Sequence, residues 1–466
     1  MKKIKVITII LFLVILAIPV LTFNWKENVV SDIDNRKLTN NPFGDNYESS
    51  GKTDMTGAIE SYVQDRIGLR SQMITTYTLL YDKVFGEMVH PSYMYGKDGY
   101  VFSPVGHTEF SEYHVAFADM IKKIQDYCEQ RGVPFVFMFE PSKATVLQDM
   151  LADGINYNND WVTQLFNELD KRDINYVDNT GLMIEKTEEG EEVFNKKYNA
   201  GHWNDLGAFY GVNNVLENLK RFYPQIRINE KSDFDIEEKL NTSLLVSKFP
   251  IHEYEPIFTP HYNVTDLTKE YKGEVQLDSQ YRAFLYYINE QKKESGSPKT
   301  LVFQGSYING MGYKFLANSL GEYIAVHDYQ NIINFDYYFN LFRPECVIFE
   351  VAEYTILDSY FDYEGMVNIE LNPVLTTFDS FSAEIHSISE CAIQMDKKEK
   401  TTVLTVEGLP EETSYAYLQT GDGTVFDLKK SSDGDDFSVT VDNSVKSDGL
   451  KIITVDINSS IRIIYE

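Results

Sequence analysis

Apolar and polar positions divide the chain into four stretches. Behind Lys2, Lys3 and Lys5, residues Val6 to Phe23 form a charge-free run interrupted only by two threonines. Its length predicts a membrane-spanning helix, and the lysines place its start on the cytoplasmic side, so the body is expected outside. No small-residue cleavage site follows, which favours an uncleaved anchor over residues 1–23. Residues 24–55 are polar and read as a tether. From Gly57 to Phe85 apolar residues recur at helical spacing, with a break near Gly68, and predict two short helices. Aromatics alternating around Lys97-Asp98-Gly99 predict a hairpin over Tyr93–Phe102.

Beyond this point helices and strands alternate. An amphipathic helix is expected from Phe110 to Arg131, then an apolar strand from Val133 to Phe139, a helix from Trp161 to Leu169 and a strand from Ile174 to Val177. Further strands are expected at Leu301–Phe303, Tyr323–Val326 and Cys346–Val351, with helix over Gly312–Leu320. This order predicts an α/β domain over 56–375, its mostly parallel sheet covered on both faces and its site beyond the carboxyl ends of the strands. Acidic and aromatic sequence around 226–298 interrupts the pattern and reads as an insertion at one edge or at the site mouth. From about Ser380 short alternating runs replace the helical period: Thr402–Val406, Ser414–Leu418, Phe437–Val441, Lys451–Val455 and Ile461–Tyr465. With turns at Gly421–Gly423 and Asp433–Asp436, they predict a C-terminal antiparallel β-sandwich over 380–466.

Composition adds exclusions. The net charge of −29 repels nucleic-acid backbones, so no nucleic-acid partner is expected. Three cysteines, Cys128, Cys346 and Cys391, lie far apart and predict neither a metal site nor a disulfide framework. An exported body with so few cysteines fits a bacterial source.

Two short signatures could carry chemistry. Gln304-Gly305-Ser306-Tyr307 closes a predicted strand, with Asn309 and Gly310 leading into a helix. A serine on such a turn exposes its hydroxyl at the carboxyl edge of the sheet, near backbone N–H groups that can meet an oxyanion. Gly201-His202-Trp203-Asn204-Asp205 opens another helix, where an imidazole stays neutral and able to act as a base. Either signature alone is also compatible with a purely structural role.

Together with Asp34-Asn-Arg-Lys-Leu38, Asp65-Arg-Ile-Gly-Leu-Arg70, Gly96–Phe102, Pro141-Ser-Lys143, Gly207-Ala208 and Val347–Glu350, these residues resemble a family. It is that of the SGNH-hydrolase-like polysaccharide O-acetyltransferases of the alginate acetylation type, with the related bacterial DHHW proteins. The resemblance implies a flavodoxin-like α/β domain with a Ser-His-Asp triad, outside the cytoplasm and held by a membrane anchor. It also implies a multi-pass membrane acyltransferase as acetyl donor, a polysaccharide acceptor, no cofactor, and a C-terminal domain that binds carbohydrate. By matched position Ser306 would be nucleophile and His202 general base. Gly305, Tyr307, Asn309, Lys143, Trp203 and Glu350 are the candidate substrate-binding or site-supporting residues.

The chain departs from the family where the triad acid belongs. The Asp-x-His-Trp motif reads Ala200-Gly-His202-Trp203, and the alternative Asp-x-x-His spacing falls on Asn199. Asp205, or more remotely Asp178, is the candidate replacement. The expected function is therefore O-acetyl transfer to a cell-surface or exported polysaccharide through acetyl-Ser306. A carbohydrate esterase and a non-catalytic glycan-binding or assembly subunit on the same scaffold are the alternatives.

Overall fold

The computed structural model describes residues 2–31, 33, 36–44, 46–47, 54–245, 247, 249–431, 434–445 and 449–466. Asp34 and Asn35 of the first family motif, parts of the tether including 48–53, and Asp433 of an expected turn lie outside them.

Beyond its initial lysines, helix α1 (Lys2–Leu21) is apolar on every side, and only its last turn meets the body. Asp54 caps α2 (Met55–Arg66) by accepting from the Gly57 N–H at 2.7 Å. After the break at Gly68, α3 (Arg70–Phe85) runs to Gly86, whose φ of +70° closes the helix in the left-handed region. The predicted hairpin forms as β1 (Met94–Tyr95) and β2 (Val101–Phe102).

The amphipathic helix is α4 (Glu112–Gln130), which buries Phe117, Ile121, Ile124 and Cys128 on one face. The strand after it is β3 (Phe135–Glu140). It starts later than the apolar run because the Val133 N–H closes the helix end on the Cys128 carbonyl and Pro134 has no N–H to give. Then come α5 (Asp160–Lys171), β4 (Tyr176–Asp178), α6 (Thr180–Glu188) and α7 (Asp205–Leu219). A long antiparallel hairpin follows, β5 (Phe234–Ser243) and β6 (Pro250–Pro260), with a register shift between Asn241 and Ser243. Strands β7 (Thr265–Asp266), β8 (Phe284–Ile288), β9 (Lys299–Gln304) and β10 (Glu322–His327), helix α8 (Phe335–Phe342) and strand β11 (Cys346–Ala352) complete this part.

One sheet has the order β4-β3-β11-β9-β10-β8-β7. Its first five strands are parallel, and β8 and β7 extend it antiparallel at the β10 edge. Part of the interrupting region is therefore sheet, while its hairpin packs against α7. The last parallel strand, β11, sits between β3 and β9, where a flavodoxin-like order would keep it at the edge. This central seat brings the loops after β3, β9 and β11 together.

The continuous apolar runs of the central strands divide by parity. Phe135, Phe137, Phe139, Leu301, Phe303, Val347 and Phe349 face α4, α5 and α8 in one core. Val136, Met138, Val302, Ile348 and Ala352 face α7 and the short helix Tyr313–Ser319 in the other. Both sides of the sheet are dry, which is why its strands lack alternation.

The C-terminal part contains the five expected strands, here β14 (Thr401–Glu407), β15 (Tyr415–Gln419), β17 (Phe437–Asp442), β18 (Lys451–Asp456) and β19 (Ile461–Tyr465). It also contains β12 (Ser382–His386), β13 (Ala392–Lys397) and β16 (Val425–Lys430), in the order β12-β19-β18-β15-β16-β17-β14-β13. Pairing is antiparallel except where β12 runs parallel to β19. Strands β12 and β13 are the exposed edges, and their few apolar residues, such as Ile385 and Met395, lie on the surface and bury no face. Strand β16 hides for another reason: Phe426 and Leu428 face the local core, but Asp427 between them is buried against the α/β part.

Asp427 ties the two parts together. It accepts from the Tyr127 hydroxyl and from Arg131, whose guanidinium lies 2.9 Å away and 3.5 Å from the centre of the Tyr127 ring. Its own N–H donates to Asn340 at 3.0 Å. Glu274 accepts from the N–H groups of Lys400 and Thr401, and Lys429 pairs with Asp336 at 3.1 Å. Removing one member of a buried ion pair strands the other. Asp427→Ala is thus expected to cost about 3–5 kcal/mol in denaturant unfolding of the full chain, whereas Arg131→Met with Asp427→Leu recovers most of that loss.

Candidate active site

The turn after β9 is held from below. Glu350, fully buried on β11, accepts from the Gly305 N–H at 2.5 Å, and the Ile308 N–H also points to it. A Cβ on Gly305 would lie 3.2 Å from both Glu350 oxygens and 3.3 Å from Asp328 Oδ2, so only glycine sits there without displacing a buried carboxylate. Burial and the nearby Asp328 push the Glu350 pKa up, and Glu140 is raised likewise by burial and by Glu350. Asp328 is fully buried, with its Oδ1 2.9 Å from His327 Nδ1.

Above this turn stands Ser306, at the start of a helix and facing a cleft of about 1180 Å³. Its Oγ lies 2.7 Å from His202 Nε2. The other ring nitrogen, Nδ1, lies 3.1 Å from Asn199 Oδ1, which also accepts the His202 backbone N–H at 3.2 Å. The backbone N–H is a donor whatever the tautomer, so it fixes the amide with its oxygen toward the ring, because reversing it would set the NH₂ against that donor. Nδ1 therefore carries the proton and Nε2 presents its lone pair to Ser306. Burial lowers the His202 pKa to about 4, so the ring is neutral at neutral pH.

Tyr354 completes a triangle. Its hydroxyl is 2.9 Å from Ser306 Oγ and 2.8 Å from His202 Nε2, and loss of water around that hydroxyl raises its pKa, so it stays protonated. Sequence reasoning named neither Asn199 as a partner of the ring nor Tyr354. Asn199 sat at a triad spacing but lacked the expected charge, and Tyr354 is one of 32 tyrosines in a loop without a motif. Glu353 beside it is buried and accepts from the Ser142 N–H, the Tyr157 hydroxyl and Thr145 Oγ1, which fastens the loop after β11 to the loop after β3.

Several sequence candidates stand elsewhere. Asp205 does not orient the imidazole: its Oδ2 pairs with Lys314 at 2.6 Å and accepts the Phe258 N–H at 2.8 Å, joining α7 to β6. Asp178 accepts the Thr180 N–H at 2.8 Å and starts α6. Ala200, where the family acid belongs, packs with Tyr93, Val101, Leu244 and Phe249, a setting that would desolvate a carboxylate. Trp203 is 0% exposed and cannot stack on a sugar; its Nε1 donates to the Tyr307 carbonyl at 3.2 Å. Tyr307 is equally buried, and its hydroxyl donates to the Gly201 carbonyl at 2.7 Å, bracing the His202 loop against the serine turn.

Lys143 lies along the cleft wall, but its Nζ donates to the carbonyls of Val101 (2.7 Å) and Lys196 (3.1 Å). Burial lowers its pKa to about 7, so it ties loops together and offers no free cation to an anion. Asn309 is exposed and accepts from Gln304 at 3.1 Å, apart from the cleft lining. Glu350 and Gly305 support the turn from beneath and do not face the cleft. The Gly305 and Ile308 N–H groups are spent on Glu350, which leaves the Tyr354 hydroxyl as a side-chain donor beside Ser306. Among the described residues no cluster of three or more acidic, histidine or cysteine side chains is arranged to hold a metal.

No curated protein matches the chain in sequence. Solved structures that resemble it include Bacillus cereus PatB1, at 16% identity over 59% of this chain and 98% of that one, with a TM-score of 0.45. The O-acetyltransferase domain of Pseudomonas putida AlgJ has 16% identity over 60% and 100%, TM-score 0.43. A DHHW family protein from Eubacterium siraeum has 16% identity over 61% and 98%, TM-score 0.44. Residues 94–276 match the family model of the SGNH hydrolase-like domain of the acetyltransferase AlgX. Over that stretch, which includes His202 and Asn199, the chain is similar to the SGNH hydrolase-like acetyltransferases, as its motifs lead one to expect.

Proposed function

We propose that this protein is an O-acetyltransferase that modifies a cell-surface or exported polysaccharide through an acetyl-Ser306 intermediate. The reading rests on the 2.7 Å contact between Ser306 Oγ and a His202 Nε2 that holds a lone pair, at an elbow open to the cleft. Nε2 takes the hydroxyl proton as Oγ bonds to the acyl carbon, and the donor's oxygen or sulfur leaves with that proton. A sugar hydroxyl then attacks the ester, giving its proton to Nε2, and the proton returns to Oγ as the ester bond breaks. The Tyr354 hydroxyl donates to the oxyanion formed in each step.

The same reading has α1 hold the body outside the cytoplasm, a multi-pass membrane acyltransferase supply acetyl groups, and the β-sandwich over 380–466 contact the glycan. It also takes Ser306, His202 and Asn199 as the catalytic set. Asn199 orients the ring but adds no charge to stabilise the imidazolium, so acyl transfer is slow beside a Ser-His-Asp site. That neutrality also favours one rival, a glycan-binding subunit without chemistry.

Incubated with an activated acetyl ester, the protein should gain one acetyl group on Ser306 by mass spectrometry, and Ser306→Ala should gain none. Absence of the adduct in wild type, with glycan binding retained, rejects the transferase. Asn199→Leu frees the ring to take the wrong tautomer and should slow acetylation about 10²-fold or more. Asn199→Asp should speed it.

The pH profile follows from the His202 environment. A base whose pKa is lowered to about 4 stays in its active, unprotonated form down to that pH, so acetylation should hold from neutral pH to about 5 and fall through about 4. Asn199→Asp places a carboxylate on the ring, favours imidazolium and should move the fall upward. A wild-type profile that already falls near 6.5 contradicts the buried neutral ring.

A further inference from the structure

Helix α3 carries apolar residues on two opposite faces. One face meets the body: Leu79 packs near Tyr93 and Val101, Thr78 Oγ1 donates to the Val89 carbonyl at 2.6 Å, and Asp82 accepts from the Tyr95 hydroxyl at 2.7 Å. The other face holds Met73, Tyr77, Leu80 and Val84 at i, i+4, i+7 and i+11, and among the described residues none covers it. Leu80 is 55% exposed, Val84 59% and Phe85 63%. Tyr77, Tyr81 and Phe85 pack tilted against one another along it, at 4.4 and 5.1 Å between ring centres. A helix that only had to cover a soluble core would turn polar groups outward here.

Its position names the occupant. The Gly68 N–H, between α2 and α3, donates to the Pro19 carbonyl in the last turn of α1 at 2.9 Å, and a Cβ on Gly68 would fall 1.9 Å from Thr22 Oγ1. The Asn24 N–H donates to the Arg66 carbonyl at 2.8 Å, and the Phe23 and Tyr62 rings meet at 5.5 Å. Arg66, wholly buried, donates to the carbonyls of Lys26, Leu38 and Thr39, which locks the chain leaving α1 onto the α2–α3 corner. Helix α3 is thus joined rigidly to the point where α1 ends. Exposed apolar residues run from Leu21 and Trp25 through Leu69 onto its outer face.

We propose that the outer face of α3 lies in the lipid interface of the membrane that α1 crosses. The proposal rests on α1 being a membrane anchor. Leu80, Val84 and Phe85 sit among the acyl-chain ends nearest the surface, and the ring-and-hydroxyl side chains of Tyr77 and Tyr81 suit the headgroup boundary. One spanning helix leaves a protein free to swivel; a second contact fixes its tilt. The active-site cleft is lined at one end by Asn28, Val30, Arg36 and Lys37, from the segment that follows α1, so this contact sets the cleft close to the membrane.

The test uses the full chain in phosphatidylcholine vesicles with a polarity-sensitive fluorophore at Leu80→Cys and, as reference, at Asp153→Cys. Native Cys128, Cys346 and Cys391 are buried and escape labelling. The Leu80 probe should shift to the blue on reconstitution and be quenched by nitroxide-bearing lipids, and the Asp153 probe should do neither. An unshifted, unquenched Leu80 probe on protein that floats with the vesicles overturns the interface and leaves the anchor standing. Protein that does not float removes both. A blue shift without lipid quenching shows the face covered by a second protein copy and overturns the proposal as well.

Discussion

Everything at the cleft edge of the sheet depends on a carboxyl group that water does not reach. Glu350 accepts the Gly305 N–H, and through that bond the strand-to-helix turn keeps Ser306 pointing into the cleft. A buried carboxylate is costly unless its protonation and hydrogen bonds are arranged for it. Burial and Asp328 raise its pKa, which makes the protonated form easier to keep, and the backbone donors occupy one oxygen. The glycine is the other half of the device, since any side chain would press on both acids. The fold supplies the place by seating β11 between β3 and β9, so that Glu350 rises directly under the turn after its neighbour.

The same economy of donors and acceptors shapes the histidine. A single amide oxygen receives both N–H groups of His202, so the tautomer is set without a negative charge. Tyr307 and Trp203, which would be natural sugar contacts on a surface, are used instead as internal braces between the two loops that bear the serine and the histidine. In the proposed reaction the neutral amide would leave the imidazolium formed by proton transfer without a paired charge.

Enclosed charge pairs hold distant segments together, one of them built on Asp205, the acid the sequence offered for the triad. Asp205 with Lys314 fastens the histidine helix to the short helix after the serine turn, and Asp427 with Arg131 joins the C-terminal sheet to α4. Both pairs are enclosed, so breaking one partner costs more than a surface ion pair would. The cleft thus inherits its shape from contacts well outside its lining.

Local patterning alone determined the anchor-like first helix, the two short helices after it, the five parallel strands and five of the C-terminal strands, because period and turn chemistry are written in adjacent residues. It also gave Ser306 and His202, whose motifs are contiguous. The tertiary structure decided the rest. Asn199 faces the ring through a local turn three residues long, whereas Tyr354 reaches Ser306 only because β11 lies beside β9. Strand β16 was hidden by Asp427, an acid whose partner sits about 300 positions earlier in the chain. Strands β12 and β13 were missed because their alternations are short and bury no face at the exposed edges. A sequence displays which residues can do chemistry; which of them meet depends on strand order and loop closure, and no local period encodes either.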